Sequence, residues 1–209
     1  ETEMEIRRWL FDAGSGLEGI PLNPDPGPIT DKQAGSRNIK TRQTRELFTG
    51  LRFNANAQTP YITQTEFYKT PIGTPVLLKD PGEHVNHFLY LNGLWLNGQE
   101  SIKHARVTNT LEDYLVLKFF GTSLNVVLSV ENEPYKVYIT LEDNPIPFPL
   151  RGADIEEDLH GKTYINVDTD KMYNIFDSND YSGHTMRLSS NSDDFSIFSF
   201  TFGAYGKGP

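Results

Sequence analysis

From residue 44 onward the chain is cut into short segments in which apolar and polar residues alternate, each ending at a Gly-, Pro-, Asn- or Asp-rich break. A period of two sends side chains alternately to the two faces of a strand. A chain patterned this way must pair many short strands around a shared apolar face. The strand candidates are 47–53, 62–68, 75–79, 85–91, 102–107, 113–120, 124–131, 135–141, 163–167, 171–176, 184–189 and 195–202. Turn signals separate them: "KDPGEH" (79–84), "LNGLWLNGQ" (91–99), "FGTS" (120–123), "EDNPIPFP" (142–149), "SNDYSG" (178–183) and "SSNSDD" (189–194). A spacing of about 8–12 residues is that of a β-sandwich. Two hairpins are expected, 113–120 with 124–131 and 184–189 with 195–202.

The closing segment "SIFSFTFG" (196–203) predicts Phe198, Phe200 and Phe202 on the core face, with Ser199 and Thr201 on the other. Aromatic residues suit a pleated, half-buried surface. In "KVYITL" (136–141) the same alternation buries Val137, Ile139 and Leu141 and turns Tyr138 and Thr140 outward.

The net charge of −9 falls entirely on residues 53–209, because residues 1–52 hold as many basic as acidic side chains. An acidic body argues against nucleic-acid binding and against anionic membranes. The most apolar stretch, 114–130, is interrupted by Lys118, Gly121 and Asn125, so it reads as two strands and a turn, not a membrane span. The chain contains no cysteine. Thiol catalysis, disulfides and Cys-ligated metal sites are therefore excluded for it, while its redox compartment stays open. No signal peptide is visible and the first residue is not Met, which reads as a fragment or a processed product.

Ahead of the β segments, residues 1–13 predict a helix. Thr2 and Glu5 form a capping-box pattern, Ile6, Trp9, Leu10 and Ala13 share one face, and Gly14 stops it. The helix packs on this domain or closes a preceding one. Residues 14–43, rich in Gly and Pro and then in basic polar residues, read as a linker.

Several segments occur in an order that carries a family likeness: "TRELFTGLR" (44–52), "LYLNGLWLNGQESI" (89–102), "VVLSVENEPYKVYITLEDNPI" (126–146), "KMYNIFD" (171–177) and "HTMRLSSNSDDFSIFSFTFG" (184–203). Together they resemble the C-terminal domain of DipZ-type thioredoxin-like proteins. In those proteins a thioredoxin domain precedes a jelly-roll domain similar to carbohydrate-binding modules. "ETEMEIRRWLFDAG" (1–14) looks like the closing helix of the thioredoxin part. Two departures stand out. Thr44-Arg45-Glu46 replaces a common Thr-Pro-Glu, and Asp143-Asn144 replaces an Asp-Gly turn, in which Asn tolerates positive φ. The family's catalytic Cys pair has no counterpart here, so no redox role is carried over. The resemblance implies an all-β antiparallel sandwich of jelly-roll, galactose-binding-like type over 44–205, preceded by a short helix and a linker. It also implies an upstream thioredoxin-like domain as partner, a glycan or protein substrate as target, and a periplasmic or cell-envelope setting.

Sugar recognition needs an aromatic face for stacking and amides or carboxylates for the hydroxyls. Trp95, with Asn92, Asn97 and Gln99 nearby, is the first candidate; the plainer reading makes Trp95 a plug over the end of the core. Tyr138 is the second, against a simple cross-strand pair. Tyr181 with Asn179 and Tyr205 are weaker. His84 and His87 lack an evident third metal ligand. "DTD" (168–170) and "SDD" (192–194) offer oxygens to a structural Ca²⁺, but no calcium-loop spacing is present and turn chemistry explains them. His184 reads as a packing residue. No GxSxG, HExxH, Walker or GxGxxG motif occurs. The chain itself is thus expected to be a non-catalytic recognition module without a cofactor. A protein-interaction or assembly domain is the first alternative, and the substrate-recognition half of a thiol-disulfide oxidoreductase the second.

Overall fold

The computed structural model describes residues 42–56 and 60–204, together with Trp9, which is helical. The chain separates into two compact units, Glu1–Thr30 and Asp31–Pro209. The rest of the helix expected over 1–13, nearly all of the linker over 14–43, and Tyr205 lie outside the described residues.

The second unit is an all-β, antiparallel domain of sandwich type. Its strands are β1 (Leu47–Phe48), β2 (Pro75–Leu78), β3 (Leu89–Asn97), β4 (Ile102–His104), β5 (Tyr114–Ser129), β6 (Tyr135–Leu141), β7 (Asn144–Pro145), β8 (Glu156–Glu157), β9 (Thr163–Val167), β10 (Lys171–Ser189) and β11 (Ser196–Gly203). They pair in the order β1-β11-β4-β3-β5-β10-β6-β9-β8, with β2 on β3, β7 on β6 and a further pairing of β11 with β5. One edge of β5 serves two partners: residues 114–117 pair with β3 and residues 123–129 with β11. Because β4 joins β3 to β11, these four strands close on themselves. Leu89, Leu91, Trp95, Leu117, Phe119, Val126, Ile197 and Phe200 fill the space within the fold, none of them exposed to solvent. Each buried aliphatic or aromatic side chain stabilises by roughly 1.5–3 kcal/mol.

Neither expected hairpin forms. β5 runs through "FGTS" without turning, and after "SSNSDD" β11 pairs with β1, β4 and β5 and not with β10, which itself runs through "SNDYSG". The two long strands lie antiparallel along most of their lengths, with register shifts between Asn174 and Phe176 and between Asp177 and Ser182. At the second shift, four residues of β10, Ser178 to Tyr181, stand against Thr122 alone. The inward positions of β5 change parity there, from Leu115, Leu117 and Phe119 to Leu124, Val126 and Leu128. A bulge flips parity just as a turn does, so the two look alike in sequence. Gly121 is needed for close approach: a Cβ there would stand 2.8 Å from the Gly203 carbonyl oxygen.

A bulge also revises the closing strand. The register of β11 on β5 shifts between Ile197 and Ser199. Ile197 and Phe200 reach the core, Phe202 packs partly against it, and Phe198 is only half-buried. The expected inward triplet therefore loses Phe198 to the bulge and gains Ile197.

"LNGLWLNGQ" is the clearest revision of a turn. Residues 91–97 of it are strand, with Leu91, Gly93, Trp95 and Asn97 facing in. Two strand candidates run into helices: 47–53 keeps β1 and then enters α1 (Leu51–Asn56), and most of 62–68 is taken by α2 (Thr65–Lys69). The Asn54 amide supports both, donating to the Phe48 and Gly50 carbonyls and accepting from the Tyr61 and Ile62 amides and the Tyr68 hydroxyl. The turn after β6 is displaced by one residue: Glu142 (φ 50°) and Asp143 (φ 60°) take the left-handed conformation, not Asn144. Two successive positive φ values match the right-handed twist of a tight hairpin.

Candidate functional site

The residues proposed around Trp95 form no ligand site. Trp95 is wholly buried on β3; its indole N–H donates to the Asn92 carbonyl at 2.9 Å, and its ring meets Phe195 at 5.7 Å. No sugar can stack on it. Asn97 is buried too, and its amide donates to the Phe67 and Thr70 carbonyls at 3.0 and 2.8 Å, closing the C-terminal end of α2. The Asn92 amide donates to the Glu112 carbonyl at 3.0 Å. Gln99 is exposed, and its carbonyl accepts the Arg52 amide at 3.0 Å. Trp95 is a core residue of β3 and not a loop plug, because alternation along β3 continues through the Asn-Gly pairs.

Tyr138 occupies a different setting. The ladder places Tyr114 of β5 opposite Ser189 of β10, Ser189 opposite Tyr138 of β6, and Tyr138 opposite Tyr164 of β9. The next positions align Arg187 with Thr140, and Thr140 with Pro145 of β7. Odd positions of β6 enter the core, so this even-numbered face points away from it. On that face lies a groove of about 590 Å³, lined by Leu111, Tyr138, Thr140, Asp143, Pro145, Lys162, Thr163, Arg187 and Ser189. The volume is within the roughly 300–1,000 Å³ typical of small-ligand sites.

Aromatic rings and cations alternate around the groove. Tyr138 and Tyr164 have ring centroids 5.9 Å apart. The Lys162 ammonium lies 5.8 Å from the Tyr138 centroid, Lys136 sits 3.9 Å over Tyr164, and the Arg187 guanidinium sits 4.3 Å over Tyr114. Arg187 pairs with Asp143 at 2.9 Å. The left-handed pair Glu142–Asp143 therefore sets one wall of the groove, with the Asp143 carboxylate against Arg187. The Thr163 hydroxyl is committed to the fold, donating to the Ile139 carbonyl at 2.6 Å and accepting the Ile146 amide at 3.0 Å.

Of the residues singled out in the sequence, only Tyr138 lines this groove. Lys162, Arg187, Ser189 and Asp143 were missed. The outward parity that selected Tyr138 would have selected Arg187 and Ser189 in "HTMRLS", but strand order was needed to bring them together.

The other candidates have structural roles. His84 bonds Asp80 at 2.8 Å through Nε2, and the same carboxylate accepts the Tyr114 hydroxyl at 3.0 Å. His87 takes φ 77° and accepts the Arg45 amide at 3.2 Å. His184 lies between Phe119 and Phe176, bonds Ser182 at 2.8 Å through Nε2, and has its pKa pulled down by burial. Asp170 accepts the Val130 amide at 2.9 Å. Asp194 accepts the Asn132 and Glu133 amides at 2.7 and 3.1 Å. Asn179 and Tyr181 stand in the β10 bulge, where Asn179 is exposed and Tyr181 half-buried. Among the described residues no group of three or more His, Cys, Asp or Glu side chains is placed to hold a metal ion, and no helix is long and apolar enough to cross a membrane.

Comparison with curated proteins finds no match. A family model does match, over residues 44–203, which is most of the chain and spans every strand described above. The chain belongs to the family described as the thioredoxin like C-terminal domain.

Proposed function

We propose that this domain is a non-catalytic recognition module of a thioredoxin-like protein and that it binds a glycan in the groove around Tyr138. Family membership supports the accessory role. The observation that carries the ligand reading is the half-buried Tyr138 ring beside hydroxyl and charged side chains on the outward sheet face. A tyrosine ring there offers an apolar surface to the C–H face of a sugar, and Ser189, Lys162 and Arg187 offer partners for its oxygens. The all-β antiparallel fold and this placement support reading it as a jelly-roll module of carbohydrate-binding type. Thiol chemistry then resides in an upstream thioredoxin-like domain, and a cell-envelope setting supplies the glycan.

The test is binding of the full chain to a panel of soluble polysaccharides by affinity electrophoresis, repeated with Tyr138→Ala. Retardation that the variant loses, with an unchanged far-UV circular dichroism spectrum, is the expected result. No retardation by any polysaccharide would overturn the glycan reading.

A protein target is the second reading, favoured by one observation. Phe148 and Leu159 are exposed to 81% and 102%, and Arg151 joins their segments by lying 5.7 Å over Phe148 while pairing with Glu157. Exposed apolar residues beside an Arg suit a protein contact.

A further inference from the structure

Resting on the glycan reading, we infer that the groove selects an acidic glycan, one whose sugars carry carboxylates. Three observations lead there. First, the lining holds two cations, Lys162 and Arg187, in a chain of net charge −9. Second, the Lys162 ammonium has no carboxylate within ion-pair distance among the described residues, and it lies near the Tyr138 ring where a stacked sugar would sit. A uronate carboxylate projects from the edge of its ring, so a sugar on Tyr138 brings its charge to the Lys162 side. Third, Arg187 is only partly committed: its Nε, like Thr140 Oγ1 on the directly opposed residue, is closed to solvent and has no hydrogen-bond partner among the described residues. Asp143 occupies only one arm of the Arg187 fork, and a guanidinium has five N–H donors. With its side chain 37% exposed, Arg187 can offer the N–H groups on its open side to a ligand carboxylate.

The acidic body does not forbid such a ligand. The Debye length is about 8 Å at physiological ionic strength, so distant carboxylates are screened and the charges lining the groove decide. A neutral sugar would use the Tyr138 face but leave the Lys162 charge unanswered.

The experiment compares polygalacturonate and alginate with their carboxyl-reduced, neutral counterparts, by affinity electrophoresis and calorimetry on the full chain in 0.15 M salt. At least one acidic polymer is expected to bind about tenfold or more tighter than its reduced form, the worth of one charge-assisted hydrogen bond. Lys162→Gln should erase that preference, and Lys162→Arg should keep it. Lys162 is exposed and makes no ion pair among the described residues, so neither change threatens the fold. Equal binding of acidic and neutral polymers overturns the acidic selectivity and leaves the glycan reading standing. Binding of neither overturns both.

Discussion

His104 Nε2 stands 3.0 Å from Asp113 Oδ2 inside the domain, with the imidazole and the carboxylate both closed to solvent. Nδ1 of the same ring donates to the Ser192 carbonyl at 2.8 Å. Arg106 grips the carboxylate through Nε at 2.7 Å and Nη2 at 2.6 Å, and the Leu94 amide adds a bond at 3.2 Å. Burial pushes the Asp113 carboxyl up in pKa, but Arg106, the Leu94 amide and His104 together bring it below the ordinary aspartate value. The cluster ties β4 and the loop before β5 to the middle of β3. It resembles a catalytic dyad in composition, yet its polar atoms are spent on one another. Removing the carboxylate by Asp113→Ala should cost about 3–5 kcal/mol, as for a broken buried pair. Urea unfolding would measure it. A loss below about 1 kcal/mol would remove the cluster from the structural skeleton.

The same cluster explains Gly93. This residue takes φ 99°, and a Cβ there would run into the Asp113 carboxyl. That carboxyl cannot swing away without leaving Arg106 and His104. Gly93→Ala should therefore destabilise by more than the about 1–2 kcal/mol that positive φ alone costs an L-residue. Thermal denaturation beside Gly82→Ala provides the comparison, because Gly82 has φ 83° and open space around its Cβ position.

Asp194 makes a prediction about acid. Its carboxylate accepts from the Asn132 and Glu133 amides, the Asn132 side chain at 2.8 Å and Lys103 at 3.3 Å. Burial acts to raise its pKa, but these donors outweigh it and bring the pKa down to about 2. The folded value lies below the unfolded value of about 3.9. The stabilisation is thus complete above pH of about 4 and is lost as pH falls toward 2. Asp194→Asn should begin less stable at neutral pH by about 1.5–3 kcal/mol and show a shallower loss over that acid range. Parallel pH profiles for the two proteins would contradict the assignment.

The closing strand separates two phenylalanines that look equivalent in sequence. Phe200 has no exposure and Phe198 is half-buried beside the bulge. Phe200→Ala should cost about 3–5 kcal/mol, and Phe198→Ala about 1 kcal/mol. Similar losses for both would restore unbroken alternation along 196–203.

How much of this was legible depended on which interactions are local. Alternation and turn residues located β2, β6, β9 and β11, because side-chain parity is a property of the strand itself. Strand partners were not legible. The parity change at 120–123 fits a hairpin or a bulge equally well, and only the pairing of Asp177 with Ser123 and Ser182 with Gly121 decides for the bulge. Asn and Gly misled at 91–97, where Gly93 makes room for Asp113 and Asn97 serves α2. The groove was half-visible: Tyr138 and Thr140 follow from parity, whereas Lys162 and Arg187 join them only through the order β10-β6-β9.

Trp95 offers the plainest optical check on this placement. The chain has two tryptophans, and Trp9 is 63% exposed. In Trp9→Phe the emission comes from Trp95 alone. An indole with no exposure, bonded to the Asn92 carbonyl and packed on His104 and Phe195, should emit at short wavelength and resist quenching by iodide. It should also be indifferent to polysaccharides that Tyr138 binds, since it belongs to the core and not to the groove. Trp95→Ala should cost about 3–5 kcal/mol. Free quenching by iodide, or a spectral shift on adding glycan that survives Tyr138→Ala, would move Trp95 back to the surface and reopen the loop as a binding site.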